Sequence, residues 1–241
     1  MTEPIRSNPP LAGGGMSPEG TTTVVKVGRP NLSPEDKKVL CSAICKCKET
    51  PGIGKDGRSL KQSCVSKRLR GLDAVLQHRS QYKSEINYDM TRDPPAPIMD
   101  SEVETKGHDW LPGWIKKYWD LPDEQGNVRA PFEPGTGMIR RPDVVIVKDP
   151  AKVPTQDNIK QVVEIKFPPD DWTTRQERDY EKIAGGPKKL EKIGPDDCDC
   201  DKPEPDAPKI PAEQLGRAAT GAAILYMLIT KRPPPGPVPA Y

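Results

Sequence analysis

Histidine is scarce in this chain, which has only His78 and His108 among its 241 residues. A nuclease of the histidine-metal finger type would lack ligands with so few histidines, and a histidine-based catalytic triad is poorly supported. Net charge is also low, because 37 basic and 35 acidic residues leave +2 at pH 7. If the protein binds nucleic acid, it therefore needs locally concentrated positive surface rather than a large overall charge.

Long apolar runs are missing as well. The densest one, residues 222–229, is shorter than the ~20 helical residues that cross a bilayer. We therefore expect a buried core helix near 212–231, stopped by Pro233, and no membrane partner. The opening Met1-Thr-Glu-Pro lacks the basic start and apolar core of a signal peptide, which predicts synthesis in the cytoplasm without one.

Proline and glycine, by contrast, are abundant, with 30 and 20 residues, while aromatic residues make up 5% of the chain. This composition predicts much irregular loop. Prolines concentrate near both ends, so we predict a flexible leader over 1–34 and a Pro-rich tail over 231–241. Between them we expect a helical or looped arm over 35–80 and one main domain over 81–230.

The clearest chemical pattern lies in two successive apolar segments. Asp143 precedes Val144–Val147, a run that predicts a short strand buried on both faces. In the next predicted strand, Glu164 and Lys166 share one face, because side chains alternate along a strand. If the strands are neighbours, the two carboxylates can share a divalent cation, and oxygen ligands favour Mg²⁺ or Mn²⁺. With a lysine nearby, such a site predicts hydrolysis of a phosphodiester.

A helix is expected directly after these strands. Thr173 and Gln176 form a capping-box pattern, and Gly185 marks the helix end. Gln176 and Tyr180 are four residues apart, so they project from one helical face. They either pack against the core or orient a substrate, and both interpretations can hold together.

Residues 142–143 and 164–166 together resemble the PD-(D/E)xK signature of the restriction-endonuclease-like nuclease superfamily. Gln176 and Tyr180 resemble the motif beside the active site in its RecB-like and VRR-NUC members, where this helix approaches the DNA. The resemblance implies an α/β fold whose core is a small mixed sheet flanked by helices. It also implies that Lys166 assists the nucleophile.

From about residue 80 to 220, the chain further resembles the VRR-NUC-type toxin domains exported by bacterial type VI secretion systems. This resemblance implies a Mg²⁺-dependent antibacterial DNase that is made in the bacterial cytoplasm and delivered to act in the cytoplasm of competitor cells. The implied partners are DNA, a cognate immunity protein, and a secretion-apparatus or chaperone protein.

In that family an upstream glutamate completes the metal site, and Glu85 is the best match here. Asp89 competes for this role, because residues 85–90 alternate like a strand and would place both carboxylates on one face. A solvent-facing acidic row is the other interpretation of the segment. The implied metal ligands are thus Asp143, Glu164 and Glu85.

Two other functional classes share much of this pattern. A housekeeping DNA repair or recombination nuclease of the same superfamily would use the same catalytic residues. A non-catalytic DNA-binding or interaction module would keep the fold without cleaving DNA.

Local positive charge occurs in two places. Arg140 and Arg141 immediately precede Asp143 and are predicted to hold substrate phosphates or to serve an acidic immunity partner. An amphipathic helix near 66–80 has a basic outer face, for which we favour simple solvation.

Three of the four tryptophans lie between residues 108 and 120. Trp110, Trp114 and Tyr118 recur every four residues, which favours a buried helical stripe over a surface that stacks on unpaired bases.

The six cysteines leave several states open. Free thiols or disulfides are favoured. Structural Zn²⁺ at Cys45, Cys47, Cys198 and Cys200 is the alternative, but zinc sites usually have two to four residues between paired ligands, so Cys-x-Cys pairs match weakly.

Overall fold

The structure is a computed structural model that describes residues 32–122, 126, 128–171 and 173–200. Nearly all of the predicted leader lies outside the described residues. The expected helix near 212–231 and the Pro-rich tail over 231–241 lie outside them too.

Four α-helices occur in the described part of the chain, together with short 3₁₀ turns at Pro187–Lys189 and Pro195–Asp197. The helices are α1 (Pro34–Glu49), α2 (Lys61–Val75), α3 (Leu111–Tyr118) and α4 (Thr174–Ala184). The strands in the same part are β1 (Gly52–Ile53), β2 (Ser59–Leu60), β3 (Tyr82–Ser84), β4 (Tyr88–Asp89), β5 (Ala96–Pro97), β6 (Ile139–Arg140), β7 (Val144–Val147), β8 (Ile159–Ile165) and β9 (Leu190–Ile193).

The central sheet has four strands in the order β3-β7-β8-β9. β7 pairs antiparallel with both β3 and β8, whereas β9 runs parallel to β8. The parallel pair needs a crossover, and α4 supplies it between β8 and β9. This mixed sheet with flanking helices confirms the predicted α/β class.

Both faces of the sheet are covered, which explains why all four residues of β7 are buried. Val144 and Ile146 point to one face and pack with residues of α1 and α2. Val145 and Val147 point to the other face and pack with residues of α4. The predicted strand buried on both faces is therefore confirmed.

Three disulfides join the cysteines, an arrangement that does not support the zinc alternative. Two of them tie α1 to the segment after β9, and the third ties α1 to the start of α2. The pairs are Cys41–Cys198, Cys45–Cys200 and Cys47–Cys64. Because every proposed zinc ligand is oxidised, no thiolate among the described residues is left to bind metal.

The single strand expected over 85–90 is wrong. β3 ends at Ser84, and Glu85 adopts a left-handed backbone conformation with φ of 53°. The chain then enters β4, which belongs to a separate three-stranded sheet with β5 and β6. Glu85 and Asp89 therefore do not lie on one strand face.

The aromatic stripe is wrong as well. Trp110 precedes α3 and is 67% exposed, and no residue of α3 is buried. Of the tryptophans that the structure describes, the buried one is Trp119. It is 1% exposed, donates its indole N–H to the Ala130 carbonyl at 2.9 Å and packs edge-on against Phe132.

Candidate functional site

Strand pairing brings Asp143 and Glu164 together. Val144 lies opposite Val163 in the antiparallel pair of β7 and β8. Asp143 precedes Val144 and Glu164 follows Val163, so the two acidic residues occupy the next pair of facing positions. Alternation places both side chains on the face covered by α4. Asp143 is held there because its Oδ2 accepts the Ile165 N–H at 2.8 Å.

Glu164 is the more enclosed member of the pair, with 3% of its surface exposed. Its Oε1 accepts hydrogen bonds from Lys166 Nζ at 2.8 Å and from Gln176 Nε2 at 2.7 Å. Its Oε2 is buried and has no hydrogen-bond partner among the described residues. A buried carboxylate oxygen without a partner is costly, so this atom marks a place where a further ligand would be stabilising.

The electrostatics of the pair follow from burial. Burial raises the pKa of Asp143 to about 7, and the neighbouring Glu164 carboxylate acts in the same direction. The Ile165 N–H, Lys166 and Arg141 oppose this rise in the pKa but do not cancel it. In the absence of a cation, the site therefore holds a proton near neutral pH.

The helix α4 brings its predicted residues to the same place. Thr173 caps it by accepting the Gln176 N–H, and Gly185 ends it in the left-handed conformation, both as predicted. Gln176 bridges Glu164 and Lys166, and its Nε2 lies 3.4 Å from the Tyr180 hydroxyl. Tyr180 is buried and donates to the Arg141 carbonyl at 2.9 Å, so it both packs in the core and fixes the turn before β7.

Glu85 does not join this group. Its carboxylate pairs with Arg70 and, at 3.7 Å, with Arg141, although its N–H donates to the Asp143 carbonyl at 3.0 Å. Asp89 is buried in the separate sheet, where Arg129 holds it at 2.9 Å.

The donor set can be tested against Mg²⁺. The residues that the structure describes contain no group of three His, Cys, Asp or Glu side chains placed to hold a metal. Mg²⁺ needs fewer protein ligands than that, because it keeps several waters and is commonly held by one or two carboxylates plus substrate phosphates. Asp143 and Glu164, with the unpartnered Oε2, fit such a site.

Two open cavities are lined by residues that bond Asp143 or Glu164. One, of 240 Å³, is lined by Ser84, Glu85 and Arg141, and the Ser84 hydroxyl and the Glu85 N–H both bond the Asp143 carbonyl. The other, of 330 Å³, is lined by Arg140 and Gln176.

Arginines line both cavities. Arg140 pairs with Asp179 of α4 at 2.6 Å, and Arg175 approaches the same carboxylate at 3.9 Å. Arg175 and Arg70 were not predicted from the sequence as site residues. Arg175 adjoins Gln176, and Arg70 lies on the basic helix face for which the sequence favours simple solvation.

Comparisons of the chain with known protein families, with curated proteins and with solved structures find no match. Within the described ranges, no helix has the length and apolar character needed to span a membrane.

Proposed function

We propose that the protein is a Mg²⁺-dependent DNA endonuclease with a restriction-endonuclease-like core. We further propose that it acts as an antibacterial toxin that is delivered by type VI secretion and neutralised by a cognate immunity protein. The class of reaction is hydrolysis of a DNA phosphodiester.

One observation carries the catalytic proposal. Asp143, the Glu164–Lys166 segment and Gln176 come from three separate parts of the chain, yet they lie together. Glu164, Lys166 and Gln176 are hydrogen-bonded to one another, and Asp143 accepts the N–H of Ile165 between Glu164 and Lys166. A structural ion pair would satisfy all of its buried oxygens, whereas Glu164 Oε2 is left without a partner among the described residues. That orphan atom supports a cation site better than a purely structural role.

Each residue has a distinct task in this proposal. Asp143 and Glu164 hold the cation, which when bound supplies acidification of a water molecule and neutralisation of phosphoryl charge. Lys166 lies beside Glu164 and, released from it, stabilises negative charge that develops on the phosphate.

Gln176 orients Lys166 and Glu164, and Tyr180 holds the turn that carries Arg141. Arg140 and Arg141 attract substrate phosphates into the flanking cavities.

The toxin setting rests on the sequence resemblance of residues 80–220 and is favoured by the cysteine chemistry. Three disulfides are typical of proteins that pass through an oxidising compartment and are rare in cytosolic housekeeping enzymes. This observation favours an exported nuclease over a repair or recombination enzyme of the same superfamily.

The catalytic proposal is tested by nicking of supercoiled plasmid by the purified full chain with Mg²⁺ or with EDTA. Wild type is compared with Glu164→Ala and Lys166→Ala. Glu177→Ala and Lys55→Ala serve as matched controls, because both residues are exposed and neither belongs to the carboxylate group. We expect Mg²⁺-dependent nicking by wild type and both controls, and a loss of at least ~10²-fold in the two site variants.

A wild-type protein that binds DNA but does not nick it with Mg²⁺ or Mn²⁺ would contradict the catalytic proposal and favour a non-catalytic DNA-binding module. The toxin setting has its own test, which is expression in the cytoplasm of a bacterial strain that permits disulfide formation. Wild type should stop growth, and Glu164→Ala should not.

A further inference from the structure

Three charged side chains beside the carboxylate pair have an arrangement that the catalytic steps do not require. Arg70 of α2 and Arg141 both line the 240 Å³ cavity and share one carboxylate, that of Glu85. Both arginine side chains are 54% exposed, whereas Glu85 is 17% exposed. One carboxylate thus occupies the position between two accessible guanidinium groups.

The other charged residues that line this cavity form ion pairs with one another. Lys83 binds Asp73 at 2.8 Å, and Lys106 binds Asp109 at 2.5 Å. The remaining charges are the two arginines and Glu85, which leave an excess of one positive charge at the cavity.

The two arginines act on each other as well as on Glu85. The pKa of Arg70 is lowered by burial and then by the proximity of Arg141. A single carboxylate that lies 3.7 Å from Arg141 neutralises this repulsion incompletely. A phosphodiester also carries one negative charge, shared by two non-bridging oxygens, and these oxygens can accept N–H donors from both guanidinium groups in the paired geometry that arginine favours.

The position of Glu85 links this cavity to the catalytic aspartate. Its N–H bonds the Asp143 carbonyl at 3.0 Å, and its φ of 53° is uncommon for a residue with a side chain. The backbone at this point is therefore fixed beside Asp143 in a conformation that turns the carboxylate toward the arginines.

We propose that Arg70 and Arg141 form a subsite for a backbone phosphate of the substrate DNA adjacent to the scissile one, and that Glu85 fills this subsite in the free protein until the phosphate displaces it. The identity of the ligand rests on the proposed function. Glu85 is thus an internal competitor of the substrate rather than a third metal ligand.

The test measures DNA binding without cleavage, using the full chain, EDTA and a fluorescently labelled 20-base-pair duplex. Arg70→Ala should weaken binding by about 5- to 10-fold and reduce the slope of log affinity against log salt by about one. Glu85→Gln keeps the shape of the side chain but removes its charge, so it should tighten binding by about 3- to 10-fold. Arg58→Ala is the matched control, because Arg58 is exposed and pairs with Asp56 near the β1–β2 turn, and it should bind like wild type.

A second measurement separates the two roles of Glu85. Titration calorimetry measures the affinity of the DNA-free protein for Mn²⁺. This affinity should be the same for wild type and Glu85→Gln. If Glu85→Gln binds DNA no more tightly than wild type and loses Mn²⁺ affinity, Glu85 is a metal ligand and the proposal is wrong. Equal DNA affinity of Arg70→Ala and Arg58→Ala would also overturn it.

Plasmid nicking distinguishes this failure from failure of the proposed function. A protein that nicks DNA but whose Arg70 and Glu85 variants bind like wild type is a nuclease without this subsite. A protein that never nicks DNA, but shows the expected weakening and tightening, has the phosphate subsite without the proposed activity. Thermal melts of the variants in the same buffer confirm that each compared protein is folded.

Discussion

At the scale of single residues, the two site carboxylates differ in what surrounds them. Glu164 is enclosed and bonded to Lys166 and Gln176, whereas Asp143 is half-buried and carries the raised pKa of about 7. The burial that raises this pKa also makes the pair unfavourable when both groups are ionised, because two carboxylates then face each other in a poorly solvated position.

The first prediction concerns the stability of the metal-free protein. The folded state retains the proton on Asp143 up to about pH 7, whereas the unfolded chain releases it near pH 4. The unfolded state is therefore increasingly favoured as pH rises through this window. In EDTA, the unfolding free energy of wild type should fall relative to that of Asp143→Asn by about 3–4 kcal/mol between pH 4 and pH 8.

Urea unfolding at both pH values measures this difference. The amide introduced by Asp143→Asn still offers an oxygen to the Ile165 N–H, so the variant isolates the charge. Adding Mg²⁺ at pH 8 should stabilise wild type and leave Asp143→Asn unchanged. A pH-independent difference between the two proteins would contradict the burial argument.

The second prediction concerns Lys83, which is 1% exposed and whose pKa is lowered by burial. Its ammonium donates to Asp73 at 2.8 Å and to the His78 carbonyl at 2.6 Å. Asp73→Ala should destabilise the protein by about 3–5 kcal/mol, because it leaves a buried charge without its partner. Lys83→Met removes that charge and should cost much less, which denaturant titration of the two variants can show.

At the scale of elements, the segments with a strong local pattern were predicted well. The helix expected between Thr173 and Gly185 is Thr174–Ala184, with Thr173 as its cap and Gly185 at its end. Periodicity and capping chemistry are local, so they can be recognised without knowing the fold.

Elements whose limits depend on tertiary contacts were not predicted. α2 begins at Lys61 and ends at Val75 rather than spanning 66–80. Gln77 and His78 adopt left-handed conformations after it, and Asp73 holds the turn by accepting the Ser80 N–H. The turn at Glu85 likewise ends β3, and the alternating pattern of residues 85–90 does not reveal this turn.

The third prediction contrasts two tryptophans around α3. Trp119→Ala should destabilise the protein by about 3–5 kcal/mol, because it removes a buried ring and leaves the Ala130 carbonyl without its donor. Trp110 is 67% exposed, and its ring lies where a side chain at Gly113 would be. Trp110→Ala should cost less than about 1 kcal/mol.

Chemical unfolding of the two variants under the same conditions checks this contrast. Equal destabilisation would contradict this prediction, because it would mean that the exposed ring contributes as much as the buried one.

At the scale of the whole molecule, helices α1 and α2 share a core with the sheet, and disulfides secure this arrangement. Leu40 and Ile44 of α1 pack in the same cluster as Val144 and Val163. The pairing of six cysteines has 15 alternatives and depends on the folded positions of α1 and the segment after β9, so the sequence alone does not determine it.

The fourth prediction concerns the two disulfides between these segments, which span 157 and 155 positions. While one of these disulfides is intact, the other closes only a short additional loop in the unfolded chain. Replacing one pair by serine should therefore cost about 2 kcal/mol, and replacing both about 7 kcal/mol, which exceeds the sum of the single effects.

Unfolding of the Cys→Ser variants under oxidising conditions measures these costs. The pair Cys47 and Cys64 spans 17 positions and should contribute about 3 kcal/mol. Strict additivity of the two long-range pairs would contradict the idea that they restrict the same unfolded chain.

The Cys41–Cys198 bond has a further consequence for the connectivity of the molecule. It converts the chain between these residues, including all the described strands and the whole carboxylate site, into a covalent ring. A protease that cuts one exposed loop within the ring opens it but releases no fragment until the disulfides are reduced. Cys200 is in turn bonded to Cys45 of the same helix, so both ends of the ring are fastened to α1 within two turns of each other.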